Sequence, residues 1–162
     1  MTIRVGERAP DFRAPTNHGQ TLDQDAFRDK LAVVLFFATD PEAPMTQTEI
    51  DGWDEHLVDF GHLRVQVLGV LPLPARSVRE LSDERSLAVT LLADEAGTLR
   101  RDYAVDGDDD ATVVVDREGM VICTVPRDDP IRHAATVLRR VGELSLAFPE
   151  SMEPSADRER PG

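Results

Sequence analysis

The chain contains a single cysteine, Cys123, so any thiol chemistry depends on this one sulfur. One thiol cannot form an internal disulfide, a CxxC redox pair or a cysteine-based zinc cluster. Cys123 follows Val121 and Ile122 in an apolar run, a setting in which free cysteines are usually buried. A strand interior supplies no helix N-terminus and no obvious cation, so we expect no lowering of the Cys123 pKa. The sequence therefore favours a structural role over a reactive thiol.

Thr46 is a second candidate for chemistry, because threonine acts as a nucleophile in some hydrolases when a base is adjacent. Neither a histidine nor a lysine lies near Thr46 in the sequence. The stretch from Thr46 to Glu49 instead matches a capping box. In that motif the threonine oxygen accepts from an orphan backbone N–H and the glutamate reaches back. We therefore interpret Thr46 as a helix N-cap.

An acidic run provides the strongest hint of metal binding. Asp106, Asp108 and Asp110 have the spacing that opens a calcium loop. The sixth position of that loop, normally glycine, is Ala111, and the twelfth, normally glutamate, is Arg117. The histidines are far apart in sequence: His18, His56, His62 and His133. We predict a solvated acidic turn, no metal site and no cofactor.

Composition excludes several classes of partner. The 162 residues include 31 acidic and 18 basic side chains, a net charge of −13. Such a chain is repelled by nucleic acids and by anionic membrane surfaces. No apolar run approaches the roughly 20 residues that span a bilayer, and residues 1–7 lack the apolar core of a secretory signal. We expect a single cytoplasmic domain with no nucleic-acid or membrane partner.

Hydrophobic periodicity predicts alternating strands and helices. Residues 1–30 are expected to be irregular, apart from a turn at 17–20. Strands are predicted at 31–37, 64–70 and 91–94, with a hairpin formed by 112–116 and 120–125. Helices are predicted at 46–61, 75–87, 97–103 and 131–144. Trp53, Phe36 and Phe37 could line a ligand pocket, but their spacing favours a role in the core.

The predicted order, strands alternating with helices and a closing hairpin, indicates an α/β fold. Its central mixed sheet has a parallel core, an antiparallel edge and flanking helices. This is a thioredoxin-like architecture. We predict one domain over residues 1–148. Residues 149–162 show no periodicity and are predicted to form a flexible C-terminal tail.

Four segments follow one another across residues 5–125. The first, VGERAPDF, is similar to the pattern G-x-x-A-P-D-F. Residues 22–37 are similar to L-x-x-F-R-x-K-x-x-V-L-F-F, and residues 92–105 to L-x-D-x-x-G with Y-G-V. Residues 112–119 are similar to T-x-V-I-D-x-x-G. Together, in this order and at similar spacings, they resemble the alkyl-hydroperoxide-reductase and thiol-specific-antioxidant family, the peroxiredoxins. The resemblance implies a peroxiredoxin-type thioredoxin fold and, commonly, a homodimer.

The family's active loop reads P-x-x-x-T-x-x-C, usually followed by T-x-E. Alignment on Pro44 and Glu49 places Thr46 at the position of the peroxidatic cysteine. Ala43 then falls at the helper threonine or serine and Thr39 at the first proline, while Asp110 falls at the family's arginine. The resemblance therefore implies a vestigial site in which none of the four chemical positions is kept.

Peroxide reduction requires a thiolate, whose pKa is lowered by a helix N-terminus and a nearby cation. A threonine hydroxyl stays protonated at neutral pH and cannot form a sulfenic acid. We therefore favour a protein without peroxidase activity that acts by binding or regulation, as a homodimer or with a protein partner. The alternative is an active thiol-dependent antioxidant peroxidase that uses Cys123. A weaker third hypothesis is a small-molecule site around Thr39, Thr46 and Asp110.

Overall fold

The fold is built on a five-stranded mixed sheet, seen in a computed structural model that describes residues 3–105, 111–127 and 129–147. Two short strands, β1 and β2, form a separate antiparallel pair before it. The strands are β1 Arg13–Pro15, β2 Thr21–Asp23, β3 Ala32–Phe37, β4 Val65–Leu71, β5 Thr90–Ala93, β6 Ala111–Val115 and β7 Val121–Pro126. The main sheet has the order β5-β4-β3-β6-β7.

The central strand is β3, and every one of its residues is buried. It pairs in parallel with β4 on one side and antiparallel with β6 on the other. A continuous apolar run is typical of a strand covered on both faces. The run at residues 31–37 was therefore sufficient to predict a buried central strand. The predicted parallel core and antiparallel closing hairpin are confirmed, because β4 pairs in parallel with β5 and β6 antiparallel with β7.

Helices cover the two faces of this sheet. They are α1 Pro44–Glu55, α2 Leu57–His62, α3 Ala75–Arg85, α4 Thr98–Asp102 and α5 His133–Ala147. Buried residues of α1, α2, α3 and α5 pack in one apolar cluster on one face of the sheet, and Leu99 of α4 packs in the cluster on the other face. Among the described helices, none combines the length and apolar composition needed to cross a bilayer.

The side chains of β3 alternate between two separate apolar clusters. Phe36 points to the α1 side and stacks on Trp53, with ring centroids 4.9 Å apart and planes 6° apart. Phe37 points to the opposite side, where it packs near Tyr103. All three aromatic residues singled out from the sequence, Trp53, Phe36 and Phe37, are therefore core residues. The two-residue repeat of a strand accounts for the separation of neighbours Phe36 and Phe37.

Two sequence predictions about local structure were wrong. Residues 1–30 are not irregular throughout, because β1 and β2 form a hairpin around the predicted turn and a 3₁₀ turn follows at Gln24–Ala26. The helix predicted over 46–61 is two helices, which begin at Pro44 and break at His56. The strands β1 and β2 have three residues each, which is too few to show an alternating hydrophobic pattern. The helical spacing of apolar residues continues across the break at His56, so the sequence does not reveal that break.

Two predicted segments lie outside the described residues. The acidic turn at 106–110, including Asp110 and the calcium-like spacing, is one of them. The C-terminal tail at 149–162 is the other. The domain boundary at residue 148 therefore stays a prediction.

Candidate functional site

The loop between β3 and α1 carries the positions that the sequence aligned with a family active site. Thr39 is exposed and directly follows the buried Ala38, whose N–H donates to the Val70 carbonyl at 3.1 Å. Asp40 then forms a turn in which its carboxylate accepts the N–H of Glu42 at 3.1 Å. This turn leads the chain from the carboxyl end of the central strand β3 into α1.

Helix α1 begins earlier than the capping box predicted. Ala43 is the N-cap residue, with an extended backbone, and Pro44 is the first helical residue. Proline suits this position because its ring pre-sets φ and its missing N–H has no helical partner to lose. Thr46 is therefore the third residue of the helix rather than its cap, and its side chain is buried. The prediction of Thr46 as an N-cap was wrong.

Glu49 does not reach back to the helix start, because it lies a full turn into α1 on the buried face. Its side chain is only 3% exposed. Oε2 of Glu49 accepts the indole N–H of Trp53 at 3.3 Å, and Oε1 forms an ion pair with Nη1 of Arg127 at 3.2 Å. A buried carboxylate is costly unless it is paired and hydrogen-bonded, and here it is both.

Arg127 reaches this carboxylate from the end of β7. It follows Pro126, which is paired in register with Ala111 of β6. Arg127 therefore directly follows the last residue of β7. The family alignment places Asp110 at the arginine position, and Asp110 lies outside the described residues, whereas Arg127 supplies a cation to Glu49.

A histidine completes the polar group below α1. His133, the first residue of α5, is buried, and its Nε2 lies 2.7 Å from Oγ1 of Thr112 on β6. The His133 ring meets Trp53 edge-on, with centroids 5.6 Å apart. Glu49, Thr112 and His133 thus come from α1, β6 and α5, and Arg127 directly follows β7. Within the described residues, no hydrogen bond joins the Thr46 side chain to a base, so the structure offers no support for a threonine nucleophile.

Cys123 is remote from solvent. It lies in β7 opposite Val114 and is 2% exposed. Burial raises the pKa of the Cys123 thiol, and the Arg140 cation lowers it by a smaller amount. The expectation that no cation lies near this thiol was wrong, since α5 brings Arg140 toward it. Burial nevertheless dominates, so the expected absence of a lowered pKa is met.

Polar contacts tie α1 to its neighbours along its outer side. Arg85 of α3 pairs with Asp51 and also donates to Oε1 of Gln47 at 3.3 Å. Asp54 accepts the backbone N–H groups of Ala88 and Val89 at 2.7 and 2.8 Å. These contacts anchor the helix that carries Thr46 to α3 and to the segment leading into β5.

The predicted site residues are therefore only partly brought together. Thr39, Ala43 and Thr46 lie on one loop and the first turn of α1, while Asp110 lies outside the described residues. Among the described side chains, no group of three or more metal-ligating residues converges. The sequence analysis assigned no site role to Glu49, Arg127 or His133, the polar side chains that contact Trp53 or pair beside α1. The sequence did indicate a buried position for Glu49, because Glu49 lies four residues before Trp53 on the helical face that also carries Ile50.

Comparison with known proteins identifies the group to which this arrangement belongs. The AhpC/TSA family model matches residues 5–124. The chain belongs to this family. A putative peroxiredoxin bcp of Coxiella burnetii is 26% identical over 152 residues, covering 87% of this chain and 100% of that protein. The peroxiredoxin Bcp of Bacillus subtilis is 25% identical over 156 residues, covering 90% of this chain and 99% of that protein.

Solved structures of peroxiredoxins share the fold. A cysteine-to-serine mutant of PrxQ from Xylella fastidiosa superposes with a TM-score of 0.82 at 14% identity, covering 90% of this chain and 99% of that one. The peroxidoxin BcpB of Mycobacterium tuberculosis gives a TM-score of 0.79 at 20% identity, with 88% and 98% covered. The AhpC/TSA chain described here therefore has the thioredoxin-like fold that its sequence predicted.

Proposed function

We propose that this AhpC/TSA-family chain has no thiol-peroxidase activity and acts by binding another protein, either a second copy of itself or a peroxiredoxin relative. The proposal rests on the lack of an exposed thiol. The first turn of α1 holds Thr46 where the family alignment expects the thiol, and the single thiol, Cys123, is 2% exposed within β7.

Chemistry argues against peroxide reduction at either residue. Attack on the O–O bond requires a nucleophile that is ionised and accessible, and that can be oxidised to a sulfenic acid and then reduced. The Thr46 hydroxyl meets neither the ionisation nor the redox requirement. The Cys123 thiol is oxidisable, but burial raises its pKa and closes the approach of a peroxide.

The intact surroundings of α1 support a binding role. The Glu49–Arg127 ion pair and the Arg85–Asp51 contact hold the helix in place from both sides. Apolar side chains are exposed on this part of the molecule: Met45 in the first turn of α1 is 52% exposed, and Ile131 is 66% exposed. The Ile131 backbone passes close to Gly52 of the same helix. Met45 and Ile131 therefore mark the surface that we propose as the interface.

The proposed lack of activity is tested by hydroperoxide consumption. The purified protein is mixed with dithiothreitol and hydrogen peroxide or an organic hydroperoxide, beside Cys123→Ala. We expect no turnover above the dithiothreitol background in either protein. Turnover that disappears in Cys123→Ala would establish the alternative, an active peroxidase that uses Cys123.

The binding role is tested by assembly. Sedimentation of the chain alone reports self-association, and tagged chain mixed with a Bcp-type peroxiredoxin reports mixed assembly. We expect Met45→Glu and Ile131→Glu to abolish the association at micromolar concentration. Val58→Glu is the matched control, because Val58 is also exposed but lies on α2. No association in either experiment, or equal loss in the Val58→Glu control, would contradict the proposed surface.

A further inference from the structure

A groove lies between the start of α1 and the helix α3. Its volume is about 400 Å³, which is within the range of ligand pockets in proteins. Gln47 forms the α1 wall of this groove. Met45 and Gly52, the second of which lies close to the Ile131 carbonyl, are on a different face of the same helix. The region, called here the α1–α3 groove, is therefore separate from the Met45–Ile131 surface, and its role does not depend on that surface.

One face of α3 forms the second wall. Ser77, Glu80, Leu81 and Glu84 line the groove at the i, i+3, i+4, i+7 spacing that places side chains on one side of a helix. Leu81 is half-buried and packs against the apolar cluster beneath the helix, whereas Glu80 and Glu84 are exposed. This wall is therefore apolar at its base and acidic at its rim.

Polar contacts hold the two walls in place. Arg85, the last residue of α3, pairs with Asp51 of α1 and donates to Oε1 of Gln47 at 3.3 Å. At the other end, Glu42 of the β3–α1 loop and Leu73 of the segment before α3 also line the groove. Because both helices are tied to each other through Arg85, the groove is a preformed feature of the fold.

The charge of the groove is one-sided. Its lining carries the three carboxylates of Glu42, Glu80 and Glu84, and none of the described lining residues is basic. Glu80 pairs with Arg76 at 3.5 Å, but the Arg76 side chain is 90% exposed, which makes the pair weak. Glu42 and Glu84 form no ion pair with another described residue. Glu80 and Glu84 are also four residues apart on a helix, a spacing at which like charges repel, so a cation bound here would be stabilised.

We propose that the α1–α3 groove binds a basic segment of a partner protein in which an apolar side chain is flanked by arginines. The apolar side chain packs on the floor formed by Pro41, Leu73 and Leu81. The arginines pair with the carboxylates at the rim, where a guanidinium presents two parallel N–H groups to a carboxylate. Complementary charge of this kind selects the partner and speeds its association.

Size and chemistry favour a peptide segment over a small cation. A volume of about 400 Å³ is larger than a single ammonium or guanidinium group fills. The leucines of the floor offer contact area to an apolar side chain and none of the hydrogen bonds that a hydrated ion would lose. Acidic segments are disfavoured by the glutamates and by the net charge of −13.

The test is a titration of the full ¹⁵N-labelled chain with a short amidated peptide that carries a leucine flanked by arginines. We expect shifts in the amide signals of Gln47, Ser77 and Leu81, and an affinity that falls at least about fivefold between about 50 and 500 mM sodium chloride. A peptide with serine in place of leucine should bind at least about fivefold more weakly, because it loses the apolar contact. An equal response to a peptide with glutamate in place of arginine, or no shifts up to about 1 mM peptide, would overturn the proposal.

Charge variants separate the groove from general attraction to an acidic chain. Replacing the three groove glutamates together by glutamine should weaken binding at least about tenfold, because it removes every carboxylate of the lining. The matched control removes three exposed carboxylates that do not line the groove: Glu55→Gln, Glu118→Gln and Glu143→Gln. Equal weakening in the control would show that net charge alone attracts the peptide and would refute the groove.

Ser77→Arg provides a test that keeps all three glutamates. Ser77 is half-buried in the groove wall, so an arginine at this position fills the groove and repels a second cation. We expect this variant to abolish peptide binding while it unfolds in urea as the unaltered chain does. Unchanged affinity in Ser77→Arg would place the peptide elsewhere. Binding of butylamine as tight as that of the peptide would indicate a small-cation site and contradict the assignment to a protein segment.

Discussion

Replacing Arg127 by methionine should destabilise the fold strongly, because it removes a cation that pairs with the buried Glu49 carboxylate. The carboxylate is 3% exposed and the Arg127 side chain 22% exposed, with the charged atoms 3.2 Å apart. Removing one partner of a buried ion pair costs about 3–5 kcal/mol. Partial exposure of Arg127 and the remaining Trp53 hydrogen bond reduce this to about 2–3 kcal/mol. The unfolding midpoint should fall by roughly 5–10 °C.

Urea unfolding followed by tryptophan fluorescence measures this loss directly, since Trp53 is the single tryptophan and donates to Glu49. Arg139→Met is the matched control. Arg139 pairs with Glu143 at 3.9 Å on the exposed side of α5, where an ion pair contributes about 0–0.5 kcal/mol.

The double variant Arg127→Met with Glu49→Leu completes the design. Replacing both charges by apolar groups of similar size should recover at least about 1 kcal/mol relative to Arg127→Met alone. A loss in Arg127→Met no larger than that in Arg139→Met would show that the Glu49–Arg127 pair does not stabilise the fold. Equal stability of the single and double variants would show that Glu49 is not the group left uncompensated.

Three further predictions test other parts of the structure. Because burial raises the Cys123 pKa above its ordinary value of 9.0, the unfolded chain loses this proton first. The free energy of unfolding should then fall as pH rises above 9, and in Cys123→Ala the fall should be smaller; identical pH profiles would contradict this. Thr46→Cys should remain inactive, with a thiol pKa above about 8 by pH-dependent alkylation, because burial opposes ionisation; a pKa below about 7 with peroxide turnover would refute it. Gly69→Ala places a Cβ 2.4 Å from Cζ of Phe36 and should cost about 1–3 kcal/mol in urea unfolding, whereas Gly61→Ala, with open space, should not destabilise.

Local sequence patterns were sufficient for the framework of the sheet. The apolar run at 31–37 predicts a strand covered on both faces, and β3 is that strand. The alternation of strands and helices, followed by a hairpin, predicts the parallel core and the antiparallel edge. Four weak motifs in the right order were enough to indicate the AhpC/TSA family, which the match over residues 5–124 confirms.

Local patterns misled where two signals compete over a few residues. The match of Thr46 and Glu49 to a capping box is real in the sequence, but Pro44 starts the helix earlier and turns both side chains inward. The apolar spacing continues past His56, although the backbone breaks there into α1 and α2. A motif describes what a segment is able to do, and burial against the sheet decides which option is taken.

The sequence alone was enough to show that Cys123 is the single thiol and that it lies in an apolar strand, which already disfavoured a reactive cysteine. Only the tertiary structure placed Arg127 on Glu49 and His133 on Thr112, because these pairs are separated by 78 and 21 residues. Residue type and local periodicity act over a few positions, whereas pairing of charges across a sheet depends on strand register and helix packing.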